Sequence, residues 1–546
     1  MHLLSTTTTT LTILACSRIA AAQGEHNGPP PGYAGNWRPL VKDDDIVSKN
    51  FKDVDIELLS PAFLNPEDRP IGFTNGTSAA TSEAQLDGFL HTLASRNDWL
   101  NYINPNFLSE EGRPFRYLYV TNNKGSVASS NANKVRVFIQ AHLHGDEPAP
   151  EEAVLALLGK MDNNSTWTQS ILEKVDIMIV PRANPDGVAY FQSQLATGYD
   201  PNRDFAVMGR QQTRDLIGLY TKFDPHIFLD CHEVGANWRF GKEGSLILAA
   251  DNEVHSMGGL NRHPDIFDLE YNLFMSNMYE ALKRNGLRSS PYFIAEMNST
   301  ELSGLPPNGH FALNHNSKRQ AVAILSEARG VRLGDQHFQR RVASSYILLV
   351  EALQTASDNS EYVYQKIEEA RKEFITSNDD IALTAKPRVK NTTWQWIDAN
   401  TGDLVDRQVT YQNFTPPDVN LTRARPEAYV FSKAWSDVVE RLRISGVEVE
   451  QLQFAFNAEV EALKVETSTL AEERYEGIVK NTVTTSSFMR KVAIPPGGLW
   501  VSTRQVNAAL AMTLLEPEDA ASAVTYNLIP LSKGDEYPIY RVLRDD

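Results

Sequence analysis

The segment Val135-Arg-Val-Phe-Ile-Gln-Ala-His-Leu-His-Gly-Asp-Glu-Pro148 is the one around which the rest of the chain is organised. Its first half, Val135 to Ala141, predicts a buried β-strand, because a short apolar, β-branched run ends at a Gly-Asp turn signal. His144 and Glu147 follow directly, and a helical pattern covers residues 151–161. A strand end that presents a His and a Glu three residues apart is suited to holding a metal ion.

The chain beyond this segment alternates between short apolar runs and amphipathic stretches. Further strands are predicted at residues 175–180, 227–231 and 321–326, and further helices at 210–223, 267–283, 336–356 and 361–374. Strands separated by helices at these intervals predict an α/β fold, with a mostly parallel mixed sheet sandwiched by helices.

At 546 residues the chain is too long for one hydrophobic core, so more than one domain is expected. We predict a signal peptide at 1–22, an N-terminal lead-in at 23–80, a catalytic domain at 81–378, a linker at 379–425 and a small C-terminal α/β domain at 426–546. No His follows His337, which excludes a histidine-based site in the C-terminal domain.

Several features predict a secreted glycoprotein. The segment from Leu3 to Ala15 is uncharged and moderately apolar, and Ala20-Ala21-Ala22 resembles a cleavage site. Asn-x-Ser/Thr acceptor patterns begin at Asn75, Asn163, Asn164, Asn298, Asn391, Asn413 and Asn420. Cys16 would leave with the signal peptide, and Cys231 at the end of an apolar strand is better explained as a small buried hydrophobe.

The net charge of −17 argues against nucleic acid or an anionic membrane as a partner. Outside the signal peptide, no run approaches the roughly 18 apolar residues of a membrane span. The 42% hydrophobic and 22% charged fractions are those of a soluble globular protein.

A second strand end supplies a third candidate metal ligand. His232 ends the run Phe228-Leu-Asp-Cys-His-Glu233, and open α/β sheets place ligands at such carboxyl ends. Together, His144, Glu147 and His232 form the two-imidazole, one-carboxylate set of catalytic zinc, which leaves a coordination position free. A structural zinc site would more often be rich in thiolates.

The other polar strand-end and turn residues allow two interpretations each. Glu327 ends another strand and either acts as a general base beside the metal or pairs with Arg329. Asn202 and Arg203 either bind a carboxylate or are turn residues of structural importance. Asp200 either orients His144 through its second ring nitrogen or belongs to the same structural turn.

In their order along the chain, these elements resemble the zinc carboxypeptidases related to carboxypeptidase A. The resemblance spans roughly residues 80–355 and rests on His144-Gly-Asp-Glu147, Asn184-Pro-Asp-Gly187, Gly198-Tyr-Asp-Pro-Asn-Arg203, His232 and Glu327-Ala-Arg-Gly330. It implies an α/β/α fold, one zinc ion on His144, Glu147 and His232, and Glu327 as general acid/base. It also implies that Asn202 and Arg203 hold the free C-terminal carboxylate of a peptide or protein substrate. The sequence at Glu327 and at Arg340-Arg-Val342 resembles a secreted microbial branch of the family.

The chain departs from the family pattern in two places. Family members usually carry an Arg that polarises the scissile carbonyl, but residues 188–201 contain none. Losing such a donor typically costs on the order of 100-fold in rate, and Arg182 and Arg329 are the candidate replacements. The digestive enzymes also have a Tyr shortly before the Glu, whereas residues 293–327 contain none, and His310 is the candidate stand-in.

Three functional hypotheses follow. The leading one is a secreted zinc exopeptidase that removes C-terminal residues from peptides. A related one keeps the metal but hydrolyses N-acyl amino acids, as in the related deacylases. The third, suggested by the missing Arg, is a zinc-binding protein with reduced or no turnover.

Overall fold

The computed structural model describes residues 40–122, 133–257, 259–307 and 309–544, so the predicted signal peptide at 1–22 lies outside the described residues. Among the described residues, no helix is both long and apolar enough to cross a membrane. The α-helices are, in chain order, α1 (Asp45–Ser48), α2 (Pro61–Leu64), α3 (Ile71–Thr74), α4 (Glu83–Arg96), α5 (Pro148–Asn163), α6 (Ser165–Leu172), α7 (Pro185–Tyr190), α8 (Gln211–Phe223), α9 (Pro264–Asp268), α10 (Ser276–Arg284), α11 (Ala312–Ser317), α12 (Phe338–Asp358), α13 (Ser360–Thr376), α14 (Ser436–Ile444) and α15 (Ala508–Leu515).

The strands form three sheets. In chain order they are β1 (Leu100–Ile103), β2 (Tyr117–Val120), β3 (Val135–Ala141), β4 (Val175–Val180), β5 (Ile227–Gly235), β6 (Arg239–Phe240), β7 (Leu246–Leu248), β8 (Asn252–Ser256), β9 (Ser289–Ser290), β10 (Ile294–Ala295), β11 (Glu301–Ser303), β12 (Val322–Val331), β13 (Ile381–Asp398), β14 (Leu404–Arg423), β15 (Ala428–Phe431), β16 (Glu450–Gln451), β17 (Phe456–Tyr475), β18 (Ile478–Ile494), β19 (Leu499–Ser502) and β20 (Ile539–Val542).

The central sheet has eight strands in the order β1-β2-β4-β3-β5-β12-β8-β9. Its four middle strands run parallel to one another, but β1, β2 and β8 run antiparallel to their inner neighbours. The sheet is therefore mixed, and the prediction of a mostly parallel sheet holds only for its centre. The middle strands are parallel because helical crossovers join them, whereas β1 and β2 follow one another without a helix.

Alternate residues of β3 enter two different cores, so the sheet lies between two helical layers as predicted. Val137 and Ile139 pack with α5 and α12 on one face. Phe138 packs with α8 and α11 on the other. Because both faces of β3 are covered, the strand is mostly apolar and lacks a regular polar alternation. Its two polar side chains, Arg136 and Gln140, are bound to Asp224 and Asp230.

The lead-in is partly folded onto this core. Its described part includes α1, α2 and α3, and Leu58, Ala62 and Phe73 are buried in the same core as α5. Helix α4 then begins with a capping box, in which the side chains of Ser82 and Gln85 each bind the other's backbone N–H. The description of residues 23–80 as an extended lead-in is therefore wrong for residues 40–80.

The predicted linker at 379–425 is in fact a long β-hairpin. Strands β13 and β14 pair antiparallel over most of their length, within a six-stranded sheet of order β10-β11-β14-β13-β7-β6. Much of the hairpin is exposed on both faces, so its sequence lacks the alternation that marks a half-buried strand. That polar composition resembles a linker, although the segment forms a paired hairpin.

The C-terminal region is antiparallel and not of the predicted α/β type. Its six strands follow the order β16-β19-β15-β20-β17-β18, and every neighbouring pair is antiparallel. Helices α14 and α15 pack on this sheet in a core of their own. Because antiparallel strands can be joined by tight turns, β17 and β18 need no crossover helix between them.

Two adjacent glutamates are buried in the first turn of α5. Glu151 pairs with Arg182, and Nη2 lies 2.6 Å from Oε1. Glu152 accepts hydrogen bonds from the hydroxyls of Ser60 and Thr81 and from the backbone at Ala62, and no cationic side chain among the described residues pairs with it there. Burial raises the pKa of Glu152 to about 7, because neutral hydroxyls compensate a buried charge incompletely.

We predict that Glu152→Gln shifts the pH dependence of stability in favour of the variant at high pH. A folded-state pKa of about 7, raised from 4.5, gives stability that is present below pH 4.5 and is lost as the pH rises towards and through 7. From pH 4.5 to pH 8, the free energy of unfolding of the variant should gain up to about 3 kcal/mol on that of the wild type. Urea unfolding at both pH values measures this difference.

The control is Glu173→Gln, because Glu173 is exposed. It should track the wild type at both pH values. A pH-independent difference between Glu152→Gln and the wild type would contradict the prediction.

Candidate active site

The candidate site lies at the carboxyl ends of three adjacent parallel strands, β3, β5 and β12. Ala141 at the end of β3 is in register with Cys231, and His232 is in register with Glu327 of β12. The two strand-end residues predicted from separate motifs are thus direct neighbours in the sheet. Parallel pairing of the central strands is what brings them together.

The turn after β3 is held against the turn after β4 by a close backbone approach. A Cβ on Gly145 would lie 1.9 Å from the carbonyl carbon of Gly187, so only glycine fits at position 145. The side chain of Asn184 accepts a hydrogen bond from the Gly187 N–H (2.9 Å) and caps α7. The Asn-Pro-Asp-Gly motif therefore shapes the turn that carries His144 and Glu147.

The structure brings the three predicted metal ligands together. His144 Nδ1 lies 2.7 Å from Glu147 Oε1, and His232 Nδ1 lies 3.0 Å from Glu147 Oε2. One potential ligand atom from each residue falls within 4.8 Å of the others, the only such group of three found among the described residues. His232 and Glu147 are buried, and the His144 side chain keeps 12% of its surface exposed.

An aspartate lies behind each imidazole. His144 Nε2 is 3.1 Å from Asp200 Oδ1, the contact that the predicted orienting role of Asp200 requires. His232 Nε2 is 3.1 Å from Asp230 Oδ1, which also accepts a hydrogen bond from Gln140 (2.7 Å). Such partners turn the other ring nitrogen towards the metal position and raise its basicity.

Sequence reasoning missed Asp230, although a signal was available. Asp230 and His232 are two residues apart on β5, and residues at that spacing on a strand face the same side of the sheet. The run Asp-Cys-His was interpreted only for its His.

The electrostatics of the site fit a cation. Burial alone would lower the pKa of His144, but the charges of Glu147 and Asp200 outweigh it and raise this pKa to about 10. Burial alone would raise the pKa of Glu147, yet the two imidazoles lower it to about 2. The buried carboxylates of Glu147 and Asp200 therefore favour a positive charge in the site. Together with the two imidazole nitrogens, they suit a divalent metal ion.

Glu327 lies beside the ligands and remains partly exposed. Burial raises its pKa to about 8, although the charge of His232 acts in the opposite direction. On its other side it is in register with Glu253 of β8, a buried carboxyl whose pKa burial also raises. Sequence reasoning missed Glu253, because only the pairing of β8 with β12 places it next to Glu327.

Asn202 and Arg203 are buried in a short 3₁₀ turn, Pro201–Arg203, that starts after Asp200. Asp200 Oδ1 accepts the Asn202 N–H (2.7 Å), and its Oδ2 lies 3.7 Å from Arg203 Nη1. The Arg203 guanidinium lies over the ring of Phe311, 4.7 Å from its centroid. One aspartate thus connects the candidate carboxylate-binding residues to the candidate metal ligand His144.

Neither candidate replacement for the missing Arg is free to act at the site. Arg182 donates to Glu151, Glu83 and the carbonyl of Thr81. Arg329 forms a two-bond pair with Asp43 and also donates to the Ala236 carbonyl. The alternative interpretation of Glu327 required a salt bridge with Arg329. Arg329 is instead paired with Asp43.

Two imidazoles and a carboxylate on strand ends, next to a partly exposed glutamate, are the arrangement typical of a metal-dependent hydrolase. In comparisons with known proteins, residues 107–237 match the zinc carboxypeptidase family. Carboxypeptidase 2 of Trichophyton equinum is 39% identical over 528 residues, which cover 96% of this chain and 98% of that protein. Carboxypeptidase 2 of Trichophyton rubrum is 39% identical over the same shares of the two chains.

The chain therefore belongs to the zinc carboxypeptidase family, and it is a zinc metallocarboxypeptidase. Membership of this family favours the enzyme hypotheses over a zinc-binding protein with reduced or no turnover. A solved metallo-carboxypeptidase from Burkholderia cenocepacia aligns with 51% of this chain and 70% of its own, at 18% identity and a TM-score of 0.38.

We predict that Asp230→Asn weakens zinc binding by about 10- to 100-fold, the usual cost of removing a carboxylate behind a ligating histidine. Asparagine keeps the size of the side chain but loses the charge that holds the His232 Nε2 proton. Competition with a coloured chelator measures the zinc affinity.

Asp176→Asn is a matched control, because Asp176 is a buried strand aspartate that binds Thr121 and Lys134 instead. Equal zinc affinities for the two variants would contradict the assignment of Asp230.

Proposed function

We propose that this protein is a secreted exopeptidase that hydrolyses the C-terminal peptide bond of peptides and proteins. His144, Glu147 and His232 hold one zinc ion, Glu327 is the general acid/base, and Asn202 with Arg203 binds the free carboxylate. The observation that carries the proposal is the position of Asp200, whose carboxylate reaches both His144 and the turn with Arg203.

The binding half of the reaction depends on Arg203 and Asn202. A guanidinium presents a planar fork of donors that matches a carboxylate, and burial strengthens the attraction between the two charges. The Asn202 side chain uses its Oδ1 to accept the Ala312 N–H (2.9 Å), so its amide Nδ2 is the end suited to donate to a substrate. Both groups favour a chain end over an internal peptide bond.

The chemical half depends on Glu327. Zinc, when bound, supplies Lewis-acid polarisation of the scissile carbonyl and makes water more acidic. Glu327 takes up a proton at its carboxylate and returns it to the leaving amine, a role that suits a carboxyl whose pKa lies near neutrality. Repulsion from the carboxylates of Glu147 and Asp230 adds to burial in favouring the protonated form of Glu327.

Secretion is part of the proposal and rests on the sequence at 1–22 and on the glycosylation patterns. Six of the seven acceptor asparagines are exposed and Asn413 is half-buried, as glycan attachment requires. We further propose 81–378 as the catalytic unit, with 426–546 as a separate C-terminal unit.

We predict that Glu327→Gln lowers kcat by about 10²- to 10⁴-fold on a peptide with a free C-terminus, because the amide cannot accept the proton. Substrate binding and zinc content should change little. Steady-state kinetics with metal analysis checks this, and Glu301→Gln, at an exposed strand glutamate, is the control. Wild-type kcat in Glu327→Gln would remove Glu327 from the mechanism.

We predict that amidating the C-terminus of a good peptide substrate lowers kcat/KM by at least about 100-fold, because Arg203 loses its ionic partner. In Arg203→Ala the difference between free and amidated peptides should nearly vanish. Mass spectrometry of paired peptides measures the difference, and equal cleavage of both would exclude an exopeptidase. Parallel assays on N-acyl amino acids distinguish the deacylase hypothesis, in which these would be the better substrates.

A further inference from the structure

The C-terminal unit reaches the active site through the tip of its longest hairpin. Tyr475 of β17 is paired with Ile478 of β18, which leaves Glu476 and Gly477 as a two-residue turn. Both turn residues have positive φ angles, 48° and 78°, as a type I′ turn requires. The turn is therefore a defined structure that presents its side chains in fixed directions.

One contact of this hairpin tip is with the residues that precede Arg203. The backbone N–H of Asp200 donates a hydrogen bond to Glu476 Oε2, at 2.9 Å. Next to it, a Cβ on Gly477 would lie only 3.2 Å from the ring of Tyr199. The tip thus fits closely against residues 199–203. Within this segment Asp200 contacts His144, and Arg203 ends the 3₁₀ turn.

A second contact lies on the opposite side of Arg203. The hydroxyl of Tyr475 is 3.3 Å from Nε2 of the buried His310. The next residue, Phe311, is the ring over which the Arg203 guanidinium lies. The two contacts of the hairpin tip therefore flank the candidate carboxylate-binding Arg.

The position of the tip is fixed by packing of the C-terminal unit on the catalytic unit. Tyr475 and Ile478 pack with Ala206, Ala521 and Tyr526 in one apolar cluster. Further polar contacts join the two units: Thr221 to the Ile444 carbonyl (2.8 Å), Arg319 to the Ser445 carbonyl (2.8 Å), Arg441 to the Val207 carbonyl (2.6 Å) and Lys318 to Asp519 (3.9 Å).

We propose that the tip of the β17–β18 hairpin is part of the active site, and that Glu476 is a positioning residue for substrate binding. Its carboxylate fixes the backbone of Asp200, while Tyr475 fixes His310 and Phe311 on the other side of Arg203. The inference rests on the carboxylate-binding role proposed above for Asn202 and Arg203. It gives the C-terminal unit an indirect role in holding the terminal carboxylate of the substrate, through the position of Arg203.

The effect of Glu476 should fall on substrate binding more than on chemistry. Glu476 contacts the turn that carries Arg203, whereas Glu327 lies on β12 and has its own neighbours in the sheet. Loosening the turn makes Arg203 a poorer partner for a carboxylate and leaves the proton transfer at Glu327 in place. A rise in KM with a nearly constant kcat is the expected signature.

The experiment compares Glu476→Ala, Glu476→Gln and Tyr475→Phe in the full-length, zinc-loaded protein. Loss of a charge-assisted hydrogen bond corresponds to about a tenfold change, so Glu476→Ala should raise KM about tenfold and change kcat less than about threefold. Glu476→Gln keeps an acceptor for the Asp200 N–H and should restore KM to within about threefold of wild type. Tyr475→Phe should raise KM about threefold.

The control is Glu472→Ala, at an exposed glutamate of the same hairpin, and melting temperatures are recorded for every variant. The proposal is overturned if Glu476→Ala matches this control, if kcat falls as much as KM rises, or if Gln behaves like Ala. Failure of the wild type and of Glu472→Ala to cleave free-ended peptides would instead remove the proposed function itself. If Glu476→Ala does not fold, the Gln and Phe variants decide the matter, and wild-type KM in Tyr475→Phe then counts against the proposal.

Discussion

The carboxylate of Glu147, shared between His144 and His232, is the interaction on which the rest of the site depends. The two imidazoles come from different strands, and each can reach Glu147 only if β3 and β5 are neighbours in the sheet. The turn that brings Glu147 back over the strand end needs Gly145 to touch the backbone of Gly187. A substitution that moved this turn by an ångström would separate the ligands, since the packed interior around it has little room to adjust.

Buried charge pairs fix the surroundings of this centre. Glu233, which follows His232, forms a two-bond pair with Arg341 of α12. Arg340, the preceding residue on that helix, pairs in the same way with Asp251. Breaking either pair would leave a charge buried without a partner, which typically costs about 3–5 kcal/mol. The Arg-Arg sequence at 340–341 therefore ties α12 to the carboxyl edge of the sheet.

The active site is built from more of the chain than its motifs suggest. Asp43 of the lead-in binds Arg329, two residues after Glu327. At the other end of the chain, Glu476 binds the backbone of Asp200. Regions that carry no catalytic motif thus touch the segments that do, and both contacts are hydrogen bonds to groups that are themselves fixed by burial.

The sequence by itself determined the candidate ligand set, the candidate acid/base and the strands that carry them. Strong local signals, such as the apolar run at Val135–Ala141 and its polar end, need no tertiary information to be interpreted. Tertiary structure decided which strands are antiparallel, that 381–423 is a hairpin, and that Asp230 and Glu253 adjoin the ligands and Glu327. It also decided that Arg182 and Arg329 are engaged elsewhere, and that Glu476 lies beside Asp200. These facts depend on pairing and packing between residues far apart in the chain, and the spacing of residues along a sequence does not record them.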